Sequence, residues 1–271
     1  MKTRILVAAV GLPLLLVVVL VLPSVATAIL VAAMSIVAVY ELLDGAGFCK
    51  HVRIFAYSSV MALLLSLWSW LGLPRVLGMA AVLAYLAALF GEMLAAHTKL
   101  EFKTVCAAIF AGVVIPYLLG ALIRLRIMEN GKFYILAAFV LTMVPDSGAY
   151  FVGRAFGKRK LCPIISPNKT VEGAIGGVVS AVVCMALYTL ILQLGFSLRV
   201  NYLYAVLYGL LGAGASMLGD LTFSVIKRQA GIKDYGNLLP GHGGVLDRFD
   251  STIVVAPLVE ILILTIPFAV K

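Results

Sequence analysis

Long apolar runs, broken by short polar segments, set the pattern of this chain. A helix that crosses a membrane needs about 20 mostly apolar residues. Nine windows qualify: 5–22, 24–43, 54–73, 76–96, 104–123, 133–151, 171–196, 202–219 and 252–270. They predict an all-α fold class, a polytopic integral membrane helical bundle of about nine transmembrane helices. The first two windows are separated only by Pro23-Ser24, so they read as a tight hairpin or as two incomplete spans. Lys2, Arg4 and the segment Ala26-Thr27-Ala28 imitate a signal peptide around the first run. That run exceeds the usual apolar region of about 7–15 residues, so it is expected to be the first transmembrane helix. Pro116, Pro145 and Pro257 fall inside windows and predict kinks. Gly173 and Gly177 form a GxxxG pair, and Gly209, Gly212, Gly214, Ser216 and Gly219 follow in the next window. Such residues let helices approach closely, and ordinary packing is their simplest use.

Composition agrees with the pattern. Of 271 residues, 63% are hydrophobic and only 12% are charged, and nothing suggests a separate soluble domain. The windows divide into an N-terminal group of about five helices, 1–132, and a C-terminal region, 133–271, that carries the polar segments. The net charge of +9 would suggest nucleic acid in a soluble protein. Here it indicates loops that face anionic headgroups and an anionic substrate, and no nucleic acid. With nine spans, one side collects Lys2, Arg4, Lys50, Arg53, Lys99, Lys103, Arg154, Lys158, Arg159, Lys160, Lys169, Lys227, Arg228, Lys233 and Arg248, fifteen in all. The other side collects six: Arg75, Arg124, Arg126, Lys132, Arg199 and Lys271. The positive-inside rule then puts the N-terminus and the Ser224–Asp250 segment in the cytoplasm, and the expected location is the inner, cytoplasmic membrane. Cys49, Cys106, Cys162 and Cys184 are widely spaced, with no pattern of a disulfide or zinc site. His51 and His97 have no ligand-like spacing and read as surface residues.

The polar exception is Ser224 to Asp250, which packs seven of the chain's charges into 27 residues. Lys227, Arg228, Lys233 and Arg248 can neutralise a polyphosphate. Asp234, Asp247 and Asp250 offer hard oxygen atoms of the kind that hold Mg²⁺ beside substrate phosphates. Gly241, Gly243 and Gly244 flank His242 and allow backbone N–H groups to approach an anion. The plain alternative is a solvated connecting loop. Four carboxylates, Asp146, Asp220, Asp247 and Asp250, are expected at one membrane depth on the cytoplasmic side. Carboxylates in or near spans are costly and therefore functional candidates. Each has a structural alternative: Asp250 as a helix cap, Asp146 as a partner of a basic residue. Glu41 and Glu92 lie near cytoplasmic ends and are expected to snorkel, while Glu260 should face a polar partner.

A second polar block, Lys158-Arg159-Lys160 through Ser166-Pro167-Asn168-Lys169-Thr170-Val171-Glu172-Gly173, precedes the seventh window. Asn168 or Thr170 can cap the helix that follows, and a helix N-terminus beside a lysine suits an anion. Lys158, Arg159 and Lys160 also read as a positive-inside anchor.

The segment Ser224-x-Ile226-Lys227-Arg228, then Lys233-Asp234-x-Gly236, then Leu239-Pro240-x-His242-Gly243-Gly244-Val245-x-Asp247-Arg248-Phe249-Asp250 resembles the signature of phosphatidate cytidylyltransferases, also called CDP-diacylglycerol synthases. Asp146, Ala149-Tyr150, Gly153, Phe156-Gly157 and Ser166 to Gly173 extend the resemblance, which covers most of 146–250. It implies a nucleotidyltransferase that moves CMP from CTP to phosphatidic acid, giving CDP-diacylglycerol and pyrophosphate in phospholipid biosynthesis. It also implies dependence on Mg²⁺, with a second cation left open. The metal ligands would be Asp220 and Asp247, with Asp146 and Asp250 close by. Lys227, Arg228, Lys233 and Asp234, with Gly243 and Gly244, would hold the CTP phosphates. Lys169 and Arg248 would orient the lipid phosphate. Ser224 would add a hydrogen bond and His242 a phosphate contact. CTP, phosphatidic acid and membrane lipids are the implied partners, and the small-residue faces would suit a homodimer. Two other classes fit parts of the pattern: a CTP-dependent lipid kinase, and a membrane transporter or flippase.

Overall fold

Away from water, an apolar run can satisfy its backbone within itself only as a helix, and helices dominate the computed structural model. It describes residues 2–238, 240–241 and 243–270, with side chains from Ala9 onward. In order, α1 is Lys2–Leu16, α2 Ser24–Tyr40, α3 Val52–Leu71, α4 Arg75–Ala95, α5 Phe102–Ile109, α6 Ile115–Ile127, α7 Gly131–Phe156, α8 Val171–Phe196, α9 Tyr202–Gln229 and α10 Leu246–Thr265. Wide π-turns extend α1 (Val17–Val21) and α2 (Glu41–Gly45) and join α5 to α6 (Phe110–Val114). Among the described residues, seven helices are long and apolar enough to cross a membrane. The expected count of nine is therefore not reached by that measure. Among the residues with described side chains, the first segment holds an apolar helix over Ala9–Val21, and α10 carries Asp247, Arg248, Asp250 and Glu260 among its residues.

Two compact units make up the chain: Met1–Ile127 with Lys227–Phe249, and Met128–Ile226 with Asp250–Lys271. In the first unit, α2 packs on α3 and α6, and α3 packs on α4 and α6. Val31, Ala38, Val39, Ile54, Ala62, Ile115 and Ile123 are almost wholly buried there. The π-turn before α6 has a local cause. Pro116 has no N–H to give to the carbonyl one turn earlier, and the Ile115 N–H bonds back to Phe110 O instead. Polar groups in this core are paired: the Tyr85 hydroxyl donates to Ala108 O at 2.8 Å and shares a second 2.8 Å bond with Ser58 Oγ. Arg126 closes the end of the first segment by donating to Val19 O at 2.7 Å and Leu22 O at 3.0 Å. Glu92 accepts from Arg53 and from the Tyr57 hydroxyl, each at 3.2 Å.

The second unit is built on the α7–α8 pair. Gly173 and Gly177 bring the two backbones together. A Cβ at Gly177 would lie 2.7 Å from Pro145 O, and one at Gly173 would lie 2.7 Å from Ala149 O. The GxxxG pair thus packs within the chain. Gly209 on α9 meets α8 at Val182, and Gly219 meets α10 at Asp250 O. At one end, β3 (Arg199–Val200) pairs with β4 (Ala269–Val270), and Phe268 packs against the rings of Tyr134, Tyr188 and Tyr208. The other end carries an antiparallel hairpin, β1 (Lys160–Cys162) with β2 (Ser166–Thr170). Asn168 lies within β2, so Thr170 is the cap of α8: its hydroxyl accepts the Gly173 N–H at 3.1 Å. Glu172 in the first turn of α8 accepts the N–H groups of Lys158 and Arg159, which ties the hairpin to the helix.

Replacing Gly177 by Leu is expected to destabilise the detergent-solubilised protein by about 1–3 kcal/mol, the usual cost of overpacking. Gly195→Ala, where a Cβ meets nothing within 4 Å, should leave the unfolding temperature equal or higher. Fluorescence-detected thermal unfolding of both variants checks the pair.

Candidate active site

Helix α9 does not stop where its apolar run stops. Hydropathy falls at Gly219, but the helix continues to Gln229, because falling hydropathy marks departure from the membrane rather than the end of a helix. Asp220, Ser224 and Lys227 therefore recur at i, i+4 and i+7 along one helical face, and they are not loop residues. Gly231 ends the helix with φ +70°. Its N–H bonds to Arg228 O at 3.1 Å, and the Ile232 N–H bonds to Lys227 O at 3.0 Å. This is a Schellman motif, in which glycine takes the left-handed position at no steric cost.

The segment after Gly231 folds around Asp247. Its Oδ2 accepts the Tyr235 N–H at 2.8 Å and the Gly244 N–H at 2.9 Å. Its Oδ1 is held by Lys227 Nζ at 2.7 Å, and the two side chains are 2% and 12% exposed. The Lys227 ammonium also lies 5.5 Å from the centre of the Tyr235 ring, within cation–π range. Gly243 has φ +86°, and a Cβ there would fall 2.7 Å from Asp247 Oδ2. Both backbone conformation and space require glycine at that position. The Gly244 N–H, expected to face phosphate, is spent on Asp247.

Two residues of this cluster, Glu41 and Tyr235, carried no site role in the sequence reading. Glu41 does not snorkel: it is 2% exposed. Its Oε1 accepts the Val245 N–H and its Oε2 the Leu246 N–H, each at 2.8 Å. The one available signal was its position, an ionisable residue at the end of an apolar run. Tyr235, 2% exposed, was also missed, since the bond it makes is through its backbone. The capping role considered for Asp250 falls away. α10 begins at Leu246, so Asp250 lies inside the helix, and its Oδ1 accepts the Ser251 N–H at 2.7 Å.

In the second unit, Asp220 pairs with Lys169 of β2, both side chains about a quarter exposed. Asp146, on α7, is exposed. Arg228, Lys233, Asp234 and Arg248 are exposed as well, and Ser224 is buried. His242 lies outside the described residues. Among the described residues, no three His, Cys, Asp or Glu side chains gather into a cation-binding group. The donor chemistry nonetheless suits a hard cation. Asp220 and Asp247 each already hold a cationic ammonium group. Asp247 commits Oδ2 to backbone N–H groups and turns Oδ1 to the charge.

The relatives of this chain point the same way. The sequence pattern of the cytidylyltransferase family matches residues 2–266. The phosphatidate cytidylyltransferase of Bacillus subtilis (strain 168) is 40% identical over 250 residues, covering 87% of each chain. The phosphatidate cytidylyltransferase of Haemophilus influenzae is 43% identical over 150 residues, covering 53% of this chain and 52% of the relative. That of Staphylococcus aureus (strain COL) is 47% identical over 137 residues, about half of each chain. With a match over nearly its whole length, this chain belongs to the cytidylyltransferase family.

Proposed function

We propose that this protein is a membrane-embedded phosphatidate cytidylyltransferase, which joins CTP and phosphatidic acid to give CDP-diacylglycerol and pyrophosphate. The observation that carries the reading is the buried Lys227–Asp247 pair, set in a segment whose pattern the family shares. A phosphate oxygen of phosphatidic acid attacks the α-phosphorus of CTP. The bond from that phosphorus to the bridging β-oxygen breaks, and pyrophosphate leaves with the electron pair. The attacking oxygen is already ionised, so no strong base is required.

The task of the protein is to bring two anions together. Lys227 has three donors, of which Asp247 Oδ1 takes one, so the same ammonium can also serve a triphosphate oxygen. Arg228, Lys233 and Asp234 are exposed, and the two cations among them would neutralise charge on entry. Arg248, also exposed, is suited to the lipid phosphate because a guanidinium fork matches phosphate oxygens, and Lys169, beside Asp220, would add a point charge. Ser224 supplies a hydroxyl on the same face of α9. The family resemblance assigns Mg²⁺ to Asp220 and Asp247, and each carboxylate, taken in its own unit, already holds a cationic lysine. When bound, the metal neutralises phosphate oxygens and stabilises charge on the leaving group. The acyl chains remain in the bilayer. The fifteen-to-six asymmetry of basic residues supports a cytoplasmic N-terminus and a site facing the cytoplasmic leaflet.

CTP labelled at the α position should pass its label to the lipid, and γ label should appear in pyrophosphate. Transfer of γ label to the lipid would identify a kinase instead, and movement of unaltered lipid across vesicles a transporter. Lys227→Ala removes a charge-assisted bond worth about 1.5–3 kcal/mol. It should raise the KM for CTP at least about tenfold; an unchanged CTP dependence would exclude Lys227 from the triphosphate site. Chelation of divalent cations should stop turnover and added Mg²⁺ should restore it, which steady-state assays with and without chelator would measure.

A further inference from the structure

A helix N-terminus is ordinarily a ready place for phosphate, because its first N–H groups lack partners and its dipole favours negative charge. At the start of α10 that place is filled from within the chain. Glu41 forks over two successive amides, Oε1 to Val245 N–H and Oε2 to Leu246 N–H, both at 2.8 Å. Asp247 takes the Gly244 N–H just before them. Glu41 stands 204 residues upstream of Val245, at the first position of the π-turn that closes α2.

The surrounding backbone is shaped for this carboxylate. A Cβ on Gly244 would lie 2.3 Å from Glu41 Oε1, and one on Gly236 would lie 2.9 Å from the same oxygen. At the other end of the π-turn, a Cβ on Gly45 would lie 2.5 Å from Tyr235 O. Both ends of the turn thus grip the charged segment: one through the Glu41 side chain, the other through a close backbone approach. Tyr235 and Gly244, the residues gripped, are those whose N–H groups hold Asp247 Oδ2. Asp247 in turn holds Lys227.

We propose that Glu41 is a positioning residue for cytidylyl transfer, an internal anion that occupies the α10 N-terminus and fixes the backbone at Gly236 and at Gly244–Leu246 so that Asp247 and Lys227 are held in register. Two consequences follow. Gly236 and Gly244 of the signature make room for Glu41 rather than for phosphate. The substrate phosphates meet cationic side chains, not this helix terminus. The proposal rests on the cytidylyltransferase reading, so its test includes a readout that needs no turnover.

The full-length protein in lipid nanodiscs is the material. Hydrogen–deuterium exchange without substrate should be at least about tenfold faster across peptides covering 235–247 in Glu41→Ala than in wild type, with Glu41→Gln between them. The Gln variant keeps the length but turns an NH₂ group toward one of the two donors. With CTP varied and phosphatidic acid saturating, kcat should fall about 10–100-fold in Glu41→Ala, the range typical of a lost supporting contact, and recover partly in Glu41→Gln. Gly244→Ala should cause a similar loss in the wild-type background. In the Glu41→Ala background it should cost much less, because the oxygen it collides with is gone; such non-additivity marks direct coupling. Unaltered exchange at 235–247 in Glu41→Ala would overturn the proposal whatever the activity. Loosened exchange with wild-type kcat would overturn the positioning role. Additive losses from Glu41→Ala and Gly244→Ala would overturn the claimed contact between them. A wild-type protein inactive on CTP and phosphatidic acid, with normal exchange protection, would remove the underlying reading and the proposal with it.

Discussion

A buried charge or backbone donor must find a partner inside the protein, and the charged segment depends on that constraint. Glu41 and Asp247 are both nearly sealed from solvent, and between them they accept four backbone N–H bonds and one lysine. Removing one partner from a buried ion pair typically costs about 3–5 kcal/mol, because the other charge is stranded. The cluster is therefore strongly interdependent: Lys227 is placed by Asp247, Asp247 by the backbone of Tyr235 and Gly244, and the backbone at Gly244, Val245 and Leu246 by Glu41. A segment rich in glycine and charge would otherwise have little to order it.

Close helix packing has a different source. In a bilayer, lipid tails compete on equal terms with apolar side chains, so helices gain by approaching closely rather than by hiding from water. Gly173 and Gly177 do this for α7 and α8, with carbonyls of the facing helix where side chains would otherwise stand. By contrast, α4 buries only Tyr85 and Leu89, and leaves Val76, Met79, Leu83 and Leu94 exposed, the surface a lipid-facing helix presents. The same economy explains the π-turns. A helix that must pass Pro116, or present Glu41 and Gly45 to one segment, widens locally by one residue instead of breaking.

Chemistry between two anions needs fixed positive charge more than it needs a nucleophile or a base. Family membership and the lysine–carboxylate pairs agree on that point. Asp220 and Asp247 each hold an ammonium group, so both carboxylates sit where positive charge is already favoured. Such preorganisation lets charge that moves during phosphoryl chemistry meet a fixed environment.

Much of this was legible in the sequence, for a physical reason. Spans are read by summing hydropathy over a window, a local property, and each of the nine windows overlaps helix, although the last runs past Thr265 into β4; among the described residues seven helices are long and apolar enough to cross a membrane. The family was legible because its signature lies in one contiguous stretch from Ser224 to Asp250. Helix ends were less so: α9 outlives its apolar run by ten residues, from Gly219 to Gln229, since helix propensity and hydropathy are separate quantities. The partners of the carboxylates were not legible at all. Glu41 meets Val245 only because α2 and the start of α10 are brought together across 204 residues. A bond of that kind leaves no periodicity, motif or charge run behind it, because it joins a side chain to backbone groups that every residue possesses. The sequence by itself determined a polytopic helical membrane protein of the cytidylyltransferase type; the tertiary structure alone decided which buried carboxylate organises the charged segment and what each one holds.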